Sequence, residues 1–371
     1  MKVYMDNGAT TQVDPRVLKA MLPYFKEKYG NASSLHTKGQ EAKGALEESR
    51  EIIAKLINAE PEEIIFTSGG TEADNLAIYG TYKNLVITSA IEHPAVLNVC
   101  KELNHKIIKV DKFGIVNLKE LEDSVEKDSL VTIMFANNEI GAIQPIKEIS
   151  KICKAKDAIF HTDAVQAFGK IPINVKALGI DLMSLSSHKI YGPKGVGALY
   201  IKKGIRLKPI FRGGGHEFKI RSGTENIPGI VGFAKAAELA VKEMKKDNMK
   251  LIKMRDELIK GLTKIPNTRL NGHPKNRLPN NVNVAFDFIE GEGLVLHLDS
   301  KGICASTGSA CSSTKLEPSH ILTAIGLRPE QAHGSLRLTL GRFNTMKEVD
   351  YVLKVVPTMV EKLRKISPLV E

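Results

Sequence analysis

An α/β fold, with a mostly parallel central sheet flanked by helices and a smaller α+β domain, is predicted by three features of this 371-residue sequence. Short apolar runs end in small or polar residues, amphipathic stretches lie between several of them, and the texture changes after about residue 250. The runs "EIIFTSGG", "NLVITSA", "LVTIMFANN", "AIFHTDA" and "DLMSLSSHK" read as buried strands. The stretches "PAVLNVCKELN" and "IKEISKICKAK" carry helical periodicity between them. Strands alternating with helices imply βαβ units and a parallel sheet. One or two long helices follow over "GIVGFAKAAELAVKEMKKDNMKLIKMRDELIKGLTKI". Beyond them, "NNVNVAFDF", "GICAST" and "SLRLTLGR" are strand-like, and "MKEVDYVLKVVPTMVEKLRKI" closes the chain as a helix. A chain of this length exceeds one ordinary core. It divides into a large domain over 14–249 and a small one over 250–371, to which residues 1–13 are assigned.

Lys and Arg number 53 against 42 Asp and Glu, a net charge of +11 that suits acidic partners or anionic ligands. There is no arginine-rich arm, aromatic RNA-binding signature or zinc-finger spacing, so direct nucleic-acid recognition is not expected. The start, "MKVYMDNGATT", lacks the apolar core and cleavage site of a signal peptide. No stretch approaches the roughly 20 apolar residues of a membrane span. Four cysteines without repeated spacing, Cys100, Cys153, Cys304 and Cys311, suit a reducing, cytoplasmic compartment.

In parallel sheets, ligands bind at the carboxyl ends of the strands. Thr71, His93, Asn138, Asp163, Gln166 and Lys189 all fall at such ends. In "FTSGGTEADNLAIYG" a strand runs into Gly69-Gly70-Thr71 and a helix begins at about Thr71. Glycines permit close backbone approach, and the amides of a helix start favour phosphate. The simpler reading is a strand-to-helix turn with Thr71 as N-cap. Neither G-x-x-x-x-G-K-[ST] nor G-x-G-x-x-G after a strand is present, so neither ATP nor NAD is indicated.

In "SSHKIYGPKGVGALYI", Lys189 follows a strand and is framed by Ser186 and His188, both suited to phosphate. A lysine partly desolvated at a strand end can form a Schiff base, although most lysines are surface charges. Asp163 and Gln166 lie at another strand end, in "HTDAVQAFGK". A buried aspartate needs a partner, and a pyridinium nitrogen would provide one. The ring of His93 could stack on an aromatic cofactor. A metal reading of His93, His161 and Asp163 lacks a ligand pair at helical spacing, and no metal is expected. Together these groups fit pyridoxal 5'-phosphate, with the aspartate keeping the ring nitrogen protonated so that the ring acts as an electron sink.

With these segments in order, the sequence resembles the cysteine desulfurases of the NifS/IscS-like branch, class-V aminotransferases among the fold-type-I pyridoxal-phosphate enzymes. The likeness is carried by "MDNGATTQVDPRV", "YGNASSLHTKGQEA", "FTSGGTEADNLAI", "EHPAV", "NNEIGAIQPI", "HTDAVQAFGK", "SSHKIYGPKGVGAL", "RSGTENIPGIVG", "STGSACSS" and "HGSLRLTLGR". The resemblance implies that Lys189 binds the cofactor and moves protons. Asp163 would pair with the pyridine nitrogen, Gln166 would contact the phenolic oxygen, and His93 would stack on the ring and assist acid–base steps. Gly70, Thr71, Ser186 and His188 would hold the phosphate. Thr224 would reach the phosphate of a neighbouring subunit, which implies a homodimer. Asn138 and Arg337 would receive the substrate carboxylate, and Cys311 would be the nucleophile.

The implied reaction removes sulfur from L-cysteine, giving alanine and a persulfide on Cys311. The sulfur would pass to an iron–sulfur scaffold or a tRNA-thiolation enzyme. Gly70 stands where such enzymes often have alanine and Thr307 where serine is usual. The chain closes at "RKISPLVE", where related chains often continue into a scaffold-docking tail, so the acceptor stays open. An aminotransferase needs no thiol nucleophile, whereas selenocysteine lyase remains open. Cys304, ending the run "GIC", is expected to be a small core residue at a strand.

Overall fold

The computed structural model describes residues 1–307 and 318–367. Its strands in chain order are β1 (Val3–Tyr4), β2 (Ile64–Thr67), β3 (Val86–Ser89), β4 (His105–Ile108), β5 (Leu130–Thr132), β6 (Ile159–Asp163), β7 (Leu182–Ser186), β8 (Gly197–Ile201), β9 (Thr268–Leu270), β10 (Asn281–Phe286), β11 (Ile303–Cys304) and β12 (Ser335–Thr339). Seven of them form one sheet in the order β2-β8-β7-β6-β5-β3-β4. Strand β8 is antiparallel to β2 and β7, and every other pair is parallel.

Strands β2, β3, β5, β7 and β8 are buried at every position, because helices cover both faces. Such strands read as continuous apolar runs rather than alternations. One face packs Ile53, Phe66, Phe160 and Phe233 into the main core. On the other, Leu76 and Ala77 of the helix Gly70–Thr81 meet Leu182 and Leu199.

The reversal of β8 has a simple cause. A parallel crossover needs about a dozen residues or more, and only residues 187–196 connect β7 to β8. That short connection holds Lys189 at the carboxyl end of β7. Where β8 begins, a Cβ at Gly197 would lie 2.5 Å from the Leu185 carbonyl oxygen and 2.8 Å from the Gly69 backbone. Glycine there lets β8 lie directly against the turn before the helix Gly70–Thr81.

The second core is built on the antiparallel sheet β12-β10-β9. Val282, Val284 and Leu336 pack with Val352 and Val356 of the helix Met346–Ile366. Val3 and Met5 from the N-terminal segment lie in this same core, and β1 pairs in parallel with β11. The long helical stretch is a single 36-residue helix, Ile227–Leu262. It buries Ile230, Phe233 and Ala237 in the first core and Leu251, Met254 and Leu258 in the second. The change of texture near residue 250 therefore falls inside one uninterrupted helix.

Cys304 departs from expectation. It is exposed, while its neighbour Ile303 is fully buried. Successive side chains of a strand point to opposite faces, so only one of this adjacent pair can enter the core.

Candidate active site

A cavity of about 340 Å³ opens at the carboxyl ends of β5, β6 and β7 and is closed on one side by β12. Gly70, Thr71, His93, Asn138, Asp163, Gln166, Ser186, His188, Lys189 and Arg337 line it together. The Lys189 ammonium donates to the carbonyls of Gly8 and Ala9, at 2.8 and 2.6 Å. The Gln166 amide nitrogen donates to the same Gly8 carbonyl at 2.9 Å.

His93 caps the helix Pro94–Lys101, its Nδ1 accepting from the Ala95 amide at 3.1 Å. That bond leaves the ring proton on Nε2. Burial lowers the His93 pKa, Asp163 opposes that shift, and Lys189 and His320 add to it. The ring is a neutral donor.

Asp163 ends β6, and its Oδ1 accepts from the Val165 amide at 2.8 Å. Burial raises its pKa, with His93 and Lys189 pulling it back. Below it, Asp74 is fully buried and its Oδ1 has no hydrogen-bond partner. Burial, and then the charge of Asp163, push the Asp74 carboxyl well above its usual range. Two neighbouring buried carboxyls cannot both ionise cheaply, and the upward push is the stronger at Asp74. His161 lies outside the cavity lining, bonded to Thr132 Oγ1 at 2.8 Å and Ser184 Oγ at 2.9 Å. Both ring nitrogens are taken, which removes it from the metal reading.

At the opposite end of the cavity the helix Gly70–Thr81 begins. Its N-cap is Gly69, with no side-chain cap bond, so Thr71 is not the capping residue. Amides at this helix start are left to a ligand, in the manner of a phosphate site. A Cβ on Gly70 would meet Val165 Cγ2 at 2.8 Å, which gives the glycine a steric reason. Ser186 is buried beside it, and His188 bonds through Nδ1 to Thr10 Oγ1 at 3.1 Å. Burial and then Lys189 lower the His188 pKa to about 4, so this ring too is neutral. Thr224 is exposed and lies in a separate cleft with Ser68 and Arg221.

Arg337 enters from β12, its Nη2 donating to Asp6 Oδ1 at 3.0 Å and its Nη1 to the Asn138 carbonyl at 3.3 Å. Its Nε and the Asn138 Oδ1 are buried without partners. Cys311 lies outside the described residues. Gly8, Ala9, Asp74, Met134 and Val165 also line the cavity, and Asp6 holds Arg337 from behind, none of which sequence reasoning assigned to the site. Asp74 is the fifth residue of the helix Gly70–Thr81, and only its burial sets it apart from an ordinary surface aspartate. The others are a backbone segment and apolar wall that only tertiary packing brings here.

Residues 3–352 match the aminotransferase class-V family. The chain is 56% identical to a cysteine desulfurase IscS of Methanosarcina thermophila, over 99% of this chain and 94% of that protein. It is 50% identical to cysteine desulfurase IscS 1 of Archaeoglobus fulgidus, over 99% of both. A solved NifS-like protein superposes with a TM-score of 0.92 at 41% identity, covering 98% of this chain and all of the other. The chain belongs to the cysteine desulfurases of the class-V aminotransferase family. A further relative in structure, SspA in complex with cysteine, is 33% identical with a TM-score of 0.82, over 93% of this chain and 100% of the other.

Desulfurases of this family depend on pyridoxal phosphate, and the residues present fit that group. The helix start without a side-chain cap and the buried Asp163 carboxyl beside Lys189 are features a phosphorylated pyridine ring would satisfy. Among the described residues, no helix is long and apolar enough to cross a membrane.

Proposed function

We propose that this desulfurase takes sulfur from L-cysteine in the cavity around Lys189 and carries it as a persulfide on Cys311. The observation that supports this reading is the convergence of Lys189, Asp163, His93 and an uncapped helix start in one cavity, with Arg337 arriving from the second sheet. Lys189 would hold pyridoxal phosphate covalently, Asp163 its ring nitrogen, Gln166 its phenolic oxygen, and His93 one face of the ring. Gly70, Thr71, Ser186 and His188 would hold the phosphate. Bound there, the cofactor supplies an electron sink that lets an amino acid give up its α-proton.

Lys189 Nζ is the base placed to take that proton and return it. His93 Nε2–H is a neutral donor facing the same space. Arg337 and Asn138 would bind the substrate carboxylate, which meets the unpaired Nε of the arginine. The Cys311 thiolate attacks the substrate sulfur. As the sulfur–sulfur bond forms, the carbon–sulfur bond breaks, and its electron pair stays on carbon, which takes up protons to leave as alanine. Thr224, exposed away from the cavity, suits a reach to the phosphate of a second subunit, so the working unit is a homodimer in this reading. An iron–sulfur scaffold or a tRNA-thiolation enzyme would take the sulfur, in keeping with the net charge of +11 and an acidic acceptor. A cytoplasmic setting accords with this role.

L-cysteine and a reductant should give alanine and sulfide in equal amounts. Cys311→Ser should keep the cofactor's absorption and lose sulfide release, and Lys189→Ala should lose the covalent cofactor. Sulfide release by Cys311→Ser at the parent rate would remove Cys311 from the reaction. Mass spectrometry after L-cysteine addition should map one added sulfur to Cys311.

A further inference from the structure

Lys170 is a buried lysine that the reaction above does not use. It lies four residues after Gln166 in the run of turns that follows β6, and its Nζ donates to the Gln166 backbone carbonyl at 3.0 Å and to Gln166 Oε1 at 3.4 Å. Among the described residues its Nζ pairs with no carboxylate. A lysine carried into the interior without an acidic partner is costly, and burial, with Lys189 adding to it, lowers its pKa to about 7. Its backbone is anchored from the long helix, Asn248 Nδ2 donating to the Lys170 carbonyl at 2.7 Å.

The two ends of a glutamine amide are nearly the same shape, so its orientation is set by its partners. At Gln166 the two partners are opposite in kind. The Gly8 carbonyl can only accept, and it takes the amide nitrogen at 2.9 Å. The Lys170 Nζ carries N–H groups in either protonation state, and it gives one to the amide oxygen. With the oxygen turned to Lys170, the remaining N–H of Gln166 is the group available to the cavity.

We infer that Lys170 is a positioning residue that fixes the Gln166 amide so that it offers an N–H, not a carbonyl, to the oxygen of the bound cofactor. The inference rests on the assignment of Gln166 to the cofactor's phenolic oxygen. It has a consequence for Lys189, which shares the Gly8 carbonyl with Gln166. A flipped amide would set two carbonyl oxygens against each other at Gly8 and disturb the lysine's own acceptor.

The test is a double-mutant cycle on the full-length protein, read by the dissociation constant for pyridoxal phosphate and by the absorption maximum of the lysine-bound cofactor. Gln166→Ala should weaken cofactor binding about 5–10-fold, the loss of one hydrogen bond, and shift the absorption maximum. Lys170→Met should shift both readouts in the same direction, and the double variant should be no worse than Gln166→Ala alone. Lys170→Gln keeps an N–H donor without the charge and should return most of the effect. Thermal melting of the cofactor-free proteins reports whether each variant folds.

If Gln166→Ala leaves both readouts unchanged, the assignment of Gln166 is wrong. If it shifts them and Lys170→Met does not, or if the two effects multiply, only the role of Lys170 is overturned. A Lys170→Gln as defective as Lys170→Met, or failure of both variants to fold, would make Lys170 a packing residue and end the proposal.

Discussion

Beside His93, the carboxyl of Glu92 is fully buried and accepts from the Met134 amide through both oxygens at 3.0 Å, with Ser89 Oγ also bonded to it. Burial, with Asp163 adding to it, pushes its pKa up to about 8. The same group in an unfolded chain ionises near about 4.3. Between those values the folded protein binds the extra proton. The contribution of Glu92 to stability is therefore full below the unfolded value and is lost as pH rises through about 8. Glu92→Gln cannot ionise, so its stability should fall less steeply than the parent's between about pH 5 and pH 8. Denaturant midpoints across that range check this, and equal slopes in the two proteins would show that Glu92 is charged throughout. At this scale much was legible in the sequence. Lys189, Asp163 and His93 stand at strand ends that mark them, whereas Arg337, in the middle of β12, was reached only through the family resemblance. Glu92 and Lys170 did not stand out, because a buried charge looks like any surface charge until its surroundings are known.

At the scale of elements, the site depends on how closely β8 approaches the turn before the helix Gly70–Thr81. The atoms that a Gly197 side chain would meet are backbone, of Leu185 and Gly69, and backbone has little room to give. Gly197→Ala should lower stability by about 2 kcal/mol, in the range for overpacking a close contact. It should also weaken cofactor binding, since the helix start would move. A melting curve and cofactor titration measure both, and a variant within about 0.5 kcal/mol of the parent would show that the turn has slack. The apolar runs announced most of the strands. They did not announce β4, whose residues are partly exposed, or β9, a short strand of the same kind. Cys304 was misread because an apolar run does not state which residue of a strand faces inward.

Across the whole molecule, the two cores are joined by the long helix and by an ion cluster around Arg342, just beyond β12. Its guanidinium meets Asp14 at 3.3 Å, Glu243 at 3.0 Å and Asp247 at 3.2 Å, and lies 4.3 Å from the Tyr191 ring centre. Tyr191 follows Lys189 by two residues, so this cluster ties the lysine segment to the strand that carries Arg337. Arg342→Met should cost about 2 kcal/mol, less than the ~3–5 kcal/mol of a fully buried pair because Asp14 keeps Arg16. Chemical denaturation tests it, and a change below about 0.5 kcal/mol would show that the long helix alone holds the two parts together. The sequence by itself determined the family, the strand-and-helix alternation and the principal residues of the cavity. Those rest on local patterns, on residue types and spacings that survive without coordinates. Only the tertiary structure decided that Asp6, Gly8 and Ala9 close the site, that Asp74 lies fully buried near Asp163, and that Lys170 is carried into the interior. Those facts depend on burial and on contacts between distant segments, and no local spacing encodes either.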